Sequence, residues 1–117
     1  MHESYQALVR ILLPEGILEY FELTKVVESI PGLNIYLEEK NITPVEYKGE
    51  KLESKGFLPE IYIQDFPIRN QKVTLCIKRR RWEVKDGGQI VSRDWKIVQQ
   101  GTRMTKEFAN FLKDMYR

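Results

Sequence analysis

Residues 78–95 read KRRRWEVKDGGQIVSRDW. Arginine and lysine interleaved with tryptophan are the residue types that phosphate contact combined with base stacking or groove insertion requires. In an extended strand successive side chains point to opposite faces, so Arg79 and Arg81 share one face while Lys78 and Arg80 share the other. Two same-face arginines lie about 7 Å apart, twice the strand rise, and can engage separate phosphates of one backbone. Asp86-Gly87 or Gly87-Gly88 supplies the positive-φ residues of a tight turn. Such a turn folds RRWEV onto QIVSRDW and sets Trp82 and Trp95 on one ribbon. The expected phosphate contacts are Arg79, Arg80, Arg81, Arg93, Lys96 and Arg103, with Lys78 and Lys85 as weaker candidates. The competing reading puts both tryptophans in a core and leaves the arginines to keep an edge strand from aggregating.

Other chemistries are poorly supplied. Asp65, Asp86 and Asp94 are scattered on or beside turns and no glutamate completes an obvious two-metal carboxylate set. His2 has no evident nucleophile or carboxylate partner. Cys76 sits between Leu75 and Ile77 in an alternating run and reads as a small buried hydrophobe. One cysteine and one histidine cannot form an internal disulfide or supply the Cys/His set of a structural zinc site. No enzyme activity, metal or cofactor is expected, and a cytoplasmic setting is.

The elements that must position the ribbon follow from periodicity. Tyr5, Leu8, Val9 and Leu12 fall at helical spacing and predict a helix over residues 3–13, ended by Pro14 and Gly16. The stretch LEYFELTKVVES is ambiguous between helix and strand. Its strand-favouring residues, and the clean alternation of Leu33, Ile35 and Leu37, predict a hairpin of residues 20–28 with 33–39. Residues 40–56 are polar and read as an exposed connection. Further strands are expected at PEIYIQDFP, closed by Pro67, and at KVTLCIKRR, where Val73, Leu75 and Ile77 share a face. Val73, Leu75 and Ile77 put odd positions inward, whereas Trp82 and Val84 put even positions inward. A bulge or strand break inside the arginine run resolves the flip and would splay the arginines outward. Phe108, Phe111, Leu112 and Met115 form a terminal amphipathic helix with Thr105 as N-cap, expected to cover the core.

The chain has 117 residues, suited to one domain, 1–117, with a fold of class α+β: a small antiparallel sheet of hairpins between an N-terminal and a C-terminal helix. Its net charge of +2 hides a polarity. Residues 1–71 carry 7 Lys and Arg against 12 Asp and Glu, and residues 72–117 carry 12 against 5. A positive face of this size attracts polyanions, unless the acidic half packs against the basic half and neutralises it. Glu38, Glu39, Glu46, Glu50 and Glu53 read as a solvated loop, with docking onto the basic ribbon as the alternative. The early apolar run ALVRILLPEGIL is broken by Arg10, Pro14 and Glu15, so no membrane span and no signal peptide is expected.

The segments IQDFPIRNQKVTLCIKRRRW, SRDW and GTRMTKEFANFL, together with LLPEGILEYFEL, IYLEEKN and LESKGF, resemble the N-terminal region of ISAon-type bacterial insertion-sequence transposases. These are relatives of the ISL-three-type group, and the resemblance implies a source in Bacteroidetes. In that wider group an Arg-Arg-aromatic pair leads into a zinc-binding Cys-x-x-Cys-Gly. Here Val84 and Gly87 stand where those cysteines would fall, so the resemblance implies a zinc-ribbon-like hairpin without zinc, its metal replaced by Trp82, Val84 and Trp95. It further implies a non-catalytic accessory module of DNA transposition, because the chain lacks the acidic pattern of the ribonuclease-H-like catalytic domain. The implied partners are double-stranded DNA at the transposon ends and a separate catalytic transposase subunit. The leading expectation is DNA contact through the basic hairpin. The alternative is docking of the catalytic subunit, through the basic face or the terminal helix, without DNA contact.

Overall fold

The computed structural model describes residues 2–29, 32–47, 49–85, 88–93 and 104–115, except for the Met115 side chain. The fold is α+β. Strands β1 (Phe21–Ser29), β2 (Gly32–Glu39), β4 (Ile61–Ile68) and β5 (Gln71–Lys78) form a four-stranded sheet in the order β1-β2-β5-β4. Its inner face follows from alternation, since Ile35, Leu75 and Ile63 stand side by side across three strands, as do Leu37, Ile77 and Ile61. Leu13, Ile17 and Phe21 close over this face and complete the core. The β1/β2 hairpin matches the sequence expectation closely. The β4/β5 hairpin turns through Arg69 and Asn70, both at positive φ (52° and 65°), between the paired residues Ile68 and Gln71, which suits a two-residue hairpin.

Periodicity did not reveal that the two hairpins join through a parallel β2–β5 contact. Parallel neighbours need a long crossover, and here residues 40–70 provide it. That crossover is more structured than the exposed connection expected for residues 40–56. It holds a 3-10 turn, Val45–Tyr47, and strand β3 (Leu52–Phe57). The strand was obscured because its outward residues, Glu53 and Lys55, are charged, while Gly56 at φ 80° accompanies a register shift between Ser54 and Phe57.

β3 pairs with β6 (Arg80–Val84), which pairs with β7 (Ile90–Ser92), forming a second, three-stranded antiparallel sheet. The expected change of apolar phase occurs as a strand break at Arg79, between β5 and β6. Trp82 is only 1% exposed, faces Val91 across the β6–β7 ladder, and donates its indole N–H to Asn41 Oδ1 at 2.8 Å. Asp86, Gly87 and Trp95 lie outside the described residues, and Gly88 takes φ 67°.

Helix α3 (Lys106–Met115) starts as expected at Thr105, whose hydroxyl accepts the Phe108 N–H at 3.2 Å and donates to the buried Asp65 at 2.9 Å. Phe108 and Phe111 grip Phe66 of β4 at ring separations of 5.2 and 5.3 Å. Helix α1 (His2–Leu12) and the short α2 (Ile17–Tyr20) flank the Pro14–Gly16 turn. The apolar face of α1 is largely open. Tyr5, Leu8, Ile11 and Leu12 are 61, 53, 77 and 45% exposed, and only Val9 packs partly against the core. Among the described residues, no helix is long and apolar enough to cross a membrane.

Gly32 opens β2 where the parallel strands approach closely. A Cβ there would run into the Lys72 carbonyl oxygen, a backbone atom that cannot yield without shifting β5. Gly32→Ala should therefore cost about 1–3 kcal/mol of stability, the usual range for steric overpacking. Urea unfolding measures this, and an unchanged midpoint would contradict the register.

Candidate nucleic-acid interface

The arginine run divides its labour. Arg80 turns back into the molecule instead of splaying outward. Its backbone N–H donates to Glu39 Oε1 at 2.9 Å, its Nε to the Glu39 carbonyl at 3.1 Å and its terminal nitrogen to Ser54 Oγ at 2.6 Å. The guanidinium lies over the Phe57 ring, 4.7 Å from the centroid. Arg93 converges on the same carboxylate, donating through Nε to Glu39 Oε2 at 3.3 Å and through Nη2 to the Ile42 carbonyl, and it stacks over Tyr20 at 4.6 Å. Glu39 itself is 1% exposed. These two arginines, expected at phosphates, therefore join the small sheet to the large one.

Acid and base pair elsewhere too. Lys78 lies 3.8 Å from Glu38, and Lys55 lies 3.7 Å from both Glu53 and Glu83. The solvated-loop reading thus fails for Glu38 and Glu39, which sit in β2 and hold basic partners, whereas Glu46 and Glu50 are exposed.

A charged outer face remains on the small sheet. Trp82, Ser54, Leu52 and Val84 alternate inward, so Arg81, Glu83, Glu53 and Lys55 alternate outward. The Lys85 N–H bonds to the Lys51 carbonyl at 3.0 Å and extends the ladder, bringing these exposed lysines side by side. Lys51, Lys55, Arg81 and Lys85 then outnumber Glu53 and Glu83. Arg81 is exposed and is anchored through Nε to the Lys55 carbonyl at 2.7 Å. Lys51 and Lys55 escaped the sequence reading because β3 was taken for a connection. Lys96 and Arg103 lie outside the described residues, and Arg79 occupies the strand break, half-buried.

The other candidate chemistries resolve into structure. Asp65 caps α3 through Thr105, and the exposed His2 ring contacts Gln6 at 3.2 Å. Among the described residues, no group of three or more His, Cys, Asp or Glu could hold a metal ion. Cys76 is buried on the outer face of the large sheet, across from Tyr36 and Tyr62. Burial, then the charge of Glu60, pushes its thiol pKa up, so the reactive thiolate is disfavoured at neutral pH.

Glu39 was missed, although its signal was present. Leu33, Ile35 and Leu37 set the buried phase of β2, and Glu39 continues it. Removing one partner of a buried ion pair strands the other charge, so Glu39→Ala should cost about 3–5 kcal/mol. The exposed Glu22→Ala should change stability by no more than about 0.5 kcal/mol. Equal losses in urea titrations of the two variants would show that the inter-sheet clasp carries no special weight.

No protein-family model matches this chain, and comparison with the curated proteins and with the solved structures finds no match either.

Proposed function

We propose that this protein is a non-catalytic accessory module of an insertion-sequence transposition system and that it contacts duplex DNA of the element. The observation that carries DNA contact is the same-face array of Lys51, Lys55, Arg81 and Lys85 on the small sheet. A row of cations on a rigid ribbon neutralises successive phosphates and reads no bases by itself. The transposition context is supported by the resemblance of the RRRW and SRDW segments to ISAon-type N-terminal regions. Among the described cations, Arg80 and Arg93 serve the fold in this reading, and the outer array takes over the contact assigned to them.

Fluorescence anisotropy with element-end duplex and with scrambled duplex, at several salt concentrations, tests this. With three phosphates neutralised, log affinity should fall against log salt with a slope of roughly −2.7. The double variant Arg81→Glu, Lys85→Glu should weaken binding at least about tenfold, since each lost phosphate contact lowers affinity and each reversed charge repels. A flat salt dependence, or no binding at low salt, overturns DNA contact.

A second reading, docking of a catalytic transposase subunit without DNA contact, is favoured by the open apolar stripe of α1. Tyr5, Leu8, Ile11 and Leu12 would supply the kind of apolar anchors that helices lay into partner grooves. Co-purification with the catalytic chain encoded by the same element should then be lost in Leu8→Glu, with the melting temperature unchanged. Retention by that variant would exclude α1 as the docking surface.

A further inference from the structure

The large sheet has a face that its core does not use. Leu13, Ile17 and Phe21 close the inner side, and the strand register sets the side chains of the outer side in rows. One row runs Lys25, Tyr36, Cys76 and Tyr62 across β1, β2, β5 and β4, and the next runs Val27, Asn34, Thr74 and Gln64. Cys76 is buried between the tyrosines. Tyr62 is 54% exposed, Lys25 and Val27 are exposed, and Tyr36, Asn34, Thr74 and Gln64 are half-buried. Neighbours on adjacent strands half-bury a mid-sheet residue even with nothing above it, so this pattern marks an open face. Helix α3 meets the sheet on Phe66, at the far end of β4.

The chemistry of this face is aromatic in one row and polar in the next. Tyr36 and Tyr62 stand about 10 Å apart, two strand spacings, beside the amide, hydroxyl and amide of Asn34, Thr74 and Gln64. Among the described residues, neither the Thr74 hydroxyl nor the Gln64 side-chain amide has a hydrogen-bond partner. Lys25 Nζ rests 4.4 Å from the Tyr36 ring centroid, so what lies over that ring is an exposed, flexible side chain. Lys25 and the exposed Lys72, two residues before Thr74 on β5, form no ion pair with a described acid. Glu38, in contrast, faces Lys78 at 3.8 Å, and Glu60 accepts the Tyr62 hydroxyl at 2.9 Å. Glu22 lies beyond Lys25 on the edge strand, a row away from the tyrosines.

We infer that the outer face of the large sheet binds single-stranded nucleic acid, with bases stacked on Tyr36 and Tyr62, base edges on Asn34, Thr74 and Gln64, and phosphates on Lys25 and Lys72. This goes beyond the duplex contact of the small sheet and does not depend on it. A four-stranded sheet with one covered face and aromatic rings on the other is a platform for unpaired bases, because every base has a flat π-face and a hydrogen-bonding edge. A duplex keeps its bases stacked on one another and offers these rings nothing. A protein partner needs a charge-depleted apolar centre, whereas here polar side chains occupy the row beside the rings.

The test titrates the full chain against labelled oligo-dT and oligo-U of about 10 nucleotides, within the span one small domain covers, over a salt series. Duplex DNA of similar length is the third probe. With two phosphates neutralised, log affinity for a single strand should fall against log salt with a slope of roughly −1.4. Tyr36→Ala and Tyr62→Ala should each weaken single-strand binding at least about fivefold and leave duplex binding unchanged, since each removes one stacked base. Tyr36→Phe and Tyr62→Phe keep the ring and should bind as wild type does. Tighter binding of one oligonucleotide assigns the strand to DNA or to RNA, whose 2′-hydroxyl adds contacts. Tyr62 is exposed, so thermal melting should show its alanine variant folded, and that variant decides the question if Tyr36→Ala unfolds.

Single-strand binding that survives Tyr62→Ala unchanged overturns this inference. Absence of single-strand binding at low salt also overturns it and leaves the face to a protein partner. The variant Arg81→Glu, Lys85→Glu should retain the single strand, so loss of the duplex alone bears on the small sheet and supports two separate surfaces.

Discussion

The buried carboxylate of Glu39 is the constraint on which the arrangement of the two sheets depends. A carboxylate at the end of a central strand cannot be desolvated alone, and here it accepts from the Arg80 backbone and from the Arg93 side chain. The arginines are satisfied in turn by the Glu39 and Ile42 carbonyls and by Ser54. Their flat faces rest on Phe57 of the small sheet and Tyr20 of α2. Buried ion pairs stabilise weakly in general, because desolvation offsets the attraction. Their directional bonds nonetheless fix an angle that apolar contact would leave loose, and at this junction three bonds to Glu39 tie the small sheet to the large one.

The strand break at Arg79 is the geometric counterpart of that clasp. β5 buries odd positions against the main core, whereas β6 turns the even positions inward, Trp82 fully buried and Arg80 and Val84 half-buried. A continuous strand would place Trp82 on the outside, at a cost far above that of an irregular residue. Interrupting the alternation at one position lets a single chain segment serve two cores. Arg80 then faces Glu39, and Arg79 is the residue left over, its carbonyl bonded to Leu58 and its Nε without an acceptor among the described residues.

Strand periodicity was legible wherever one face is apolar and the other polar, as in β2, β4 and β5, and helix α3 was legible from its cap and aromatic spacing. β3 was hidden because LESKGF has small or charged residues at most positions and a glycine at the irregular point. The parallel contact of β2 with β5 was hidden because alternation specifies which face of a strand is buried and says nothing about its neighbour. The α1 helix was read from its periodic apolar face, and periodicity alone does not tell a core face from an open one. The buried acids were readable in principle. Glu39 follows Leu33, Ile35 and Leu37 in phase, and Asp65 follows Ile61 and Ile63, so strand phase alone points each inward, although the sequence reading took one for a solvated acid and the other for a turn residue. An in-phase carboxylate closing an apolar run is a request for a specific donor, and the chain answers with Arg80 and Arg93 in one case and Thr105 in the other.

The same logic limits what a charge count can say about a surface. The acidic and basic halves of the sequence are partly spent on each other, through Glu39 with Arg93, Glu38 with Lys78, and Lys55 between Glu53 and Glu83. The field outside the molecule is set by what this pairing leaves over, which is a shorter row of cations than the sequence displays. Folding leaves two local features open among the described residues: a buried Nε without an acceptor at Arg79 and an apolar helix face without cover on α1. Which charges the fold leaves unpaired and which apolar faces it leaves open therefore describe the surface better than the number of arginines does.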